Sequence, residues 1–136
     1  MANALYDKGR EAFAAAGINW VSDTIKCILV DTGEYTPNLA TDSSLVNIPA
    51  LARVGSAVTL SGKTNVSGVV DADDVSFTGL VSAPTVEALV IYKDTGVEST
   101  STLIAYIDTG TALPVPAGAS QINVAWDNGA NKIFKL

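Results

Sequence analysis

Histidine is absent from the 136 residues. This removes the usual general base and the commonest metal ligand together. Ser-His-Asp and Cys-His triads are excluded, as is zinc held by histidine. The single cysteine, Cys27, lies inside IKCILV, where no intramolecular disulfide can form and a small buried apolar residue is expected. Only two arginines, Arg10 and Arg53, accompany a net charge of −6, so no basic stripe exists to neutralise phosphates and nucleic acid is not an expected partner. No apolar run approaches the ~20 residues of a membrane span, and ALYDKGREAF lacks the apolar core of a signal peptide. A soluble chain made in the cytoplasm, with no membrane partner, is the expectation. Aromatic residues make up 7% of the chain, too few for a platform that stacks sugars or bases. Trp20 and Trp126 therefore read as packing anchors.

What the chain does have is valine (15) and threonine (13), a bias suited to pleated, half-buried surfaces. Hydrophobic residues reach 48% against 16% charged, more apolar material than an ordinary solvated monomer of this size carries. Some of it is expected to face a partner. The length implies one domain over 1–136 that buries roughly two thirds of its unfolded surface. The fold expected is mostly β: an antiparallel β-sandwich or barrel-like domain over 24–136, with a short N-terminal helix within 1–17.

In the segment NALYDKGREAFAAAG, Asn3 can cap a helix, Leu5, Ala12, Phe13 and Ala16 share a face, and Gly17 can end it. Gly9 weakens that helix by about 1 kcal/mol relative to alanine. TIKCILVD reads as a strand covered on both faces. A long connection over 33–52 carries turns at Thr36-Pro37-Asn38 and Asp42-Ser43-Ser44 and a helical turn at SSLVNI stopped by Pro49; a connection of this length packs as a flap or carries function. ARVGSAVTLSG, KTNVSGVV, DDVSFTGLV, VEALVIYKD, STLIAYID, SQINVAWD and NKIFKL follow as strands broken by turn residues. VEALVIYKD and STLIAYID are expected to pair as a hairpin, as are INVAW and KIFKL across Asp127-Asn128-Gly129.

Asp-Thr-Gly occurs at Asp31, Asp94 and Asp108, and the same triplet carries the catalytic aspartate of aspartic proteases. That chemistry needs two aspartates about 3 Å apart that share a proton. The expected hairpin instead puts Asp94 and Asp108 at opposite ends, roughly 23 Å apart. A two-subunit protease of retroviral type avoids this objection, but its triplet continues with Ala or Ser, where Glu34, Val97 and Thr111 stand here. The simpler reading is a chain-reversing corner in which Asp accepts a backbone hydrogen bond and Gly supplies a positive φ.

VVDADDVSF gathers Asp71, Asp73 and Asp74. Asp71 and Asp73 are the Ca²⁺ candidates, although the EF-hand spacing is missing: Ser76 and Ser82 stand where Gly and Glu are required. The competing reading is a solvated turn. Among Glu34, Glu87 and Glu98 no spacing selects a pair for glycoside hydrolysis. No catalytic residue and no cofactor is assigned, and the chain is read as a non-enzyme.

Taken together, ALYDKGREAF, LVDTGEYTPNLATD, NIPALARV, SGKTNVSGVVDADDVSFTG, EALVIYKDTG, LIAYIDTGTALPV and NVAWDNGANKIFKL resemble a family of small tailed-bacteriophage virion proteins encoded among head and tail morphogenesis genes. The resemblance covers nearly the full chain and carries no site residues. It implies a structural component located in the virion and made in the host bacterial cytoplasm. The expected role is a capsid decoration or cement protein that bridges subunits of the major capsid protein, or of another virion protein, as a dimer or trimer. The alternatives are a tail or fibre-base component, and a carbohydrate-binding or hydrolytic β-protein that uses Trp20 or one of Glu34, Glu87 and Glu98. Leu5, Tyr6 and Phe13 near the start, with Phe134 and Leu136 at the end, are the expected partner contacts. The competing expectation is that these segments close the ends of the core.

Overall fold

A computed structural model describes residues 3–109, 113–130 and 132–136. Its framework is an antiparallel sheet of five strands in the order β1-β8-β7-β2-β3. These are β1 (Ala4–Leu5), β2 (Ile25–Val30), β3 (Arg53–Thr59), β7 (Ala88–Lys93) and β8 (Leu103–Ile107). At its centre β2 and β7 pair without interruption from Ile25↔Lys93 to Val30↔Ala88. Both strands are apolar at nearly every position because both faces of the sheet are covered.

One face carries Cys27, Leu29, Leu89 and Ile91. Over it lie two small sheets, one ordered β10-β5-β4 and the other β6-β9. Their strands are β4 (Thr64–Val66), β5 (Val69–Asp71), β6 (Val75–Phe77), β9 (Ile122–Val124) and β10 (Phe134–Lys135). Val70, Val75, Phe77, Ile122, Trp20 and Trp126 fill the space between the layers. The opposite face carries Ile28, Val30, Val90 and Tyr106, and the long connection closes it with Tyr35, Leu45, Ile48 and Ala52. Each such apolar side chain, once fully buried, contributes about 1.5–3 kcal/mol. The domain is therefore mostly β and antiparallel with one short helix near its start, as the composition implied.

The flap is held by specific polar contacts. Its single-turn helix, Leu45–Asn47, has Ser44 and Asn47 as a reciprocal cap, and Asn47 Oδ1 accepts from the Ser43 and Ser44 N–H groups at 2.9 and 3.0 Å. Arg53 donates to the Ile48 and Leu45 carbonyls and pairs with Glu98 at 2.6 Å. The guanidinium fork thus satisfies carbonyls that a lysine could not reach together.

The N-terminal segment differs from expectation. Ala4 and Leu5 pair with Tyr106 and Ala105 of β8, and the helix α1 runs only over Asp7–Ala14. Asn3 does not cap it; its Oδ1 accepts from the Asp108 and Thr109 N–H groups, both at 2.9 Å. The outer edge of β8 needed a partner, and backbone pairing outweighed the extra helical turn. At the far end Ala16, not Gly17, takes the left-handed conformation, with φ 60°.

Gly9 reverses its expected sign. A Cβ at this position would stand 2.6 Å from the Leu103 carbonyl oxygen and 3.0 Å from Ile104 Cα. The close approach follows from a bulge in β8, where Ile104 is extra between the Ile91–Ala105 and Tyr92–Leu103 pairs. Gly9→Ala is therefore expected to lower stability by about 1–3 kcal/mol through overpacking, despite a propensity gain of about 1 kcal/mol. Urea denaturation checks this; a stabilised variant would mean that the helix stands off the sheet.

INVAW and KIFKL do not form a hairpin. Ile122 pairs with Phe77 and Phe134 with Val70, so each strand joins a different sheet and buries its own apolar residue. KTNVSGVV, in contrast, is itself a hairpin of β4 and β5, turned at Ser67 and Gly68 with φ 53° and 78°. Cys27 is fully buried in the centre of the large sheet, and its surroundings push the thiol pKa well up.

Candidate functional site

The first two aspartate corners serve the backbone. Asp31 Oδ1 accepts from the Gly33 N–H at 2.9 Å and Asp94 Oδ1 from the Gly96 N–H at 3.1 Å. Gly96 has the positive φ expected of it, 84°; Gly33 is not among the positive-φ glycines, so that corner closes without one. Gly110 of the third triplet lies outside the described residues. The Gly96 N–H, followed by Lys26 at 3.2 Å, holds the Asp94 carboxyl below the usual carboxylate range.

Asp94 and Asp108 sit at opposite ends of the β7–β8 hairpin: Asp108 follows the Leu89–Ile107 pair, and the Asp94 N–H donates to Thr24. Asp31 and Asp108 do leave the sheet at the same end. However, β7 lies between their strands, which separates the backbones by about 10 Å. That is too far for the shared proton of a catalytic dyad.

The Asp71–Asp74 run positions the two tryptophans. Trp20 Nε1 donates to the Asp71 carbonyl and Trp126 Nε1 to the Asp73 carbonyl, both at 3.0 Å, while the Trp126 N–H donates to Asp74 Oδ1 at 2.9 Å. Lys132 stands 3.8 Å from the Asp71 carboxylate, and Ser61 donates to Asp73 at 3.4 Å. Among the described residues, no group of three or more acidic, cysteine or histidine side chains could hold a metal ion. Of the two Ca²⁺ candidates, Asp71 is half-buried and Asp73 exposed, at a corner whose backbone carbonyls hold the tryptophans.

The expected partner contacts divide. Tyr6 is 0% exposed and cannot serve as a surface contact. Its hydroxyl lies 2.9 Å from that of Tyr35, which donates to Asp42 Oδ2 at 2.7 Å. Since Tyr35 has one proton to give, Tyr6 is the donor to Tyr35. Phe13 and Trp20 both meet the ring of Phe134 edge-on, with centroids 6.2 and 5.4 Å apart. Leu5 and Phe13 pack against the core, so these side chains mainly close it. Leu136 is half exposed and borders a groove with Leu5, Phe13, Arg10 and Lys135.

The structure also assembles a cleft that the order of residues along the chain did not show. Glu87, Asp108, Tyr35, Tyr106 and Thr32 line about 360 Å³ at the end of the sheet. Thr32 lies between β2 and the flap, the flap supplies Tyr35, the entry to β7 supplies Glu87, and the exit of β8 supplies Tyr106 and Asp108. Glu87 Oε2 accepts from the Thr32 N–H at 3.0 Å. Burial, then the charges of Asp108 and Glu87, push the Tyr106 phenol up. Glu87 was visible in the sequence as one of three candidate carboxylates. Nothing local linked it to tyrosines at 35 and 106.

The other two carboxylates do not join it. Glu34 is exposed, and Glu98 is paired with Arg53. Trp20, 3% exposed with its indole N–H engaged by Asp71, offers no ring face to a sugar. Among the described residues, no helix is long and apolar enough to cross a membrane. No protein-family model matches the chain, and no curated protein matches it.

Proposed function

We propose that this chain is a structural protein of a tailed-bacteriophage virion, and specifically a capsid decoration or cement protein that bridges major capsid subunits by surface complementarity. The observation that carries the reading is the contrast between its acidic motifs and its surface. The Asp31, Asp94 and Asp71–Asp74 motifs are tied into corners and tryptophan anchors, while large apolar side chains stand in solvent. Val81 is 87% exposed and Leu51 79%, and Val46 and Val66 are more than half exposed. Scattered apolar contacts on a rigid β framework suit an interface that works by area and fit. The block-by-block resemblance to small virion proteins points the same way.

In this reading each copy spans neighbouring capsid subunits, so the shell cannot open without breaking the added interfaces. Association as a dimer or trimer on a local symmetry axis would multiply those contacts. The test is to mix the purified protein with phage heads that lack it and locate the added density by electron microscopy. Density on the outer face of the head is expected. Density confined to the tail would replace this reading with a tail or fibre-base role, and no binding to either would overturn both.

A further inference from the structure

The corner at Asp127-Asn128-Gly129 differs from the two it was expected to match. At Asp31 and Asp94 the aspartate oxygen holds the glycine N–H, at 2.9 and 3.1 Å. Asp127 does not hold the Gly129 N–H, and among the described residues that N–H donates to nothing. The Asn128 side chain likewise makes no hydrogen bond among them. INVAW and KIFKL join different sheets, so no ladder bond fixes the peptide between Asn128 and Gly129. Residues 127–130 are all exposed and lie outside any strand or helix. The other described asparagines are placed differently. Asn3, Asn19, Asn38, Asn47 and Asn123 have side-chain oxygens held by hydrogen bonds, and Asn65 lies in β4 ahead of the branched Val66. Among the described residues, Asn128 alone combines an unengaged side chain with a following glycine, whose lack of a Cβ leaves its amide nitrogen open to close approach.

We propose that Asn128 is a self-modification site, at which the Gly129 nitrogen displaces the side-chain amide and converts the asparagine to isoaspartate and aspartate. The Gly129 nitrogen, losing its proton, bonds to Asn128 Cγ; the Cγ–Nδ2 bond breaks and the amide nitrogen leaves as ammonia. The product is a cyclic imide, and water then adds to either of its carbonyl carbons. Opening at Cγ restores the chain with an aspartate. Opening at the main-chain carbonyl leaves isoaspartate, with the chain now running through Cβ and Cγ. Water is the sole co-reactant, and nothing is oxidised or reduced. Either product adds one negative charge, beside Asp127, to a chain of net charge −6. Isoaspartate also lengthens the connection between Trp126, held at Asp73 and Asp74, and Phe134, paired with Val70. Those anchors lie outside the altered stretch, so the fold persists while the surface charge changes with age. The inference does not depend on the virion reading.

The test is to incubate the full chain in mildly alkaline buffer at physiological temperature and follow it by ion-exchange chromatography, peptide mass mapping and labelling with an isoaspartyl methyltransferase. A more acidic species is expected to accumulate with release of ammonia, its change mapping to Asn128 and its methyl acceptance growing in step. The rate should rise with pH, because the attacking nitrogen must lose its proton. Native and guanidinium-unfolded chains should react within severalfold of each other, since the fold leaves the site open. Gly129→Ala should slow the reaction at least severalfold. Its Cβ would meet only the end of the exposed Asp127 side chain, at 2.8 Å, which can swing aside, so the fold is retained; matched thermal melts verify this. Asn128→Ser, with no amide to lose, should abolish the reaction, and Asn128→Asp should elute with the acidic species. A native chain that stays unchanged or reacts far more slowly than the unfolded one, a rate unaltered in Gly129→Ala, or a charge change mapped to another asparagine would overturn the proposal.

Discussion

Raised above about pH 10, where a free tyrosine ionises, the folded protein is expected to develop almost no tyrosinate absorbance, and then to gain it in one cooperative step as it unfolds. All four tyrosines have raised pKa values, with burial as the first cause in each. Tyr92, which also feels the Asp94 charge, is pushed up to about 12. The sign follows from proton counting. The folded chain keeps its phenolic protons above pH 10 and the unfolded chain gives them up, so stability is complete below pH 10 and is lost as pH rises toward the folded values. Each phenol that titrates only in the unfolded chain costs about 1.4 kcal/mol per pH unit, and four together cost about 5 kcal/mol per unit. Against the 5–15 kcal/mol typical of a native domain, a rise of roughly one to two units, up to the Tyr92 value of about 12, removes at most about 10 kcal/mol, enough to unfold a domain in the lower half of that range. Absorbance that climbs gradually while the far-ultraviolet circular dichroism stays native would show that the phenols are open to hydroxide. Tyr6 and Tyr35 would then not form the closed chain to Asp42 described here.

The second large effect is expected at Trp20. Trp20→Ala removes a buried indole from between the layers, its edge-on contact with Phe134 and the hydrogen bond to the Asp71 carbonyl. A loss of about 3–5 kcal/mol is expected, seen as a melting temperature lower by about 10 °C or more. Trp20→Phe retains a ring against Phe134 but leaves the Asp71 carbonyl without its donor, for about 1–2 kcal/mol. The graded pair matters because a Trp20 that served a sugar would behave differently: alanine would leave the melting temperature unchanged and abolish glycan binding. Stability that is unaffected in both variants would remove the packing role.

What the sequence made legible was local. IKCILV and ALVIYK announce doubly covered strands by their unbroken apolar character, and the β7–β8 hairpin follows from two such runs joined by a short polar segment. Asp31 and Asp94 bond to an N–H two residues on, within the reach of any reading of turn chemistry. The failures are choices among distant partners. Ala4 and Leu5 fit a helix face as well as an edge strand, and the exposed edge of β8 decided between them. INVAW and KIFKL look like a hairpin until Trp126 is fixed by Asp74, 52 positions away, and Phe134 by Val70. Gly9 reads as a weak point in a helix because the bulge it rests on lies in β8. The cleft was illegible for the same reason: it joins a flap, a strand entry and a strand exit whose meeting is fixed by sheet order and by no motif.

Cys27 occupies the middle of the central pair of strands, so its sulfur meets an alkylating reagent only when that pair separates. The rate at which the sole thiol becomes modified is then a clock for opening of the whole sheet, and it runs without any introduced label. The reverse also holds. A cysteine engineered at Leu51 or Val81 would be the one sulfhydryl presented to a maleimide dye while the sheet is closed, which allows either exposed position to be followed by fluorescence without altering the interior.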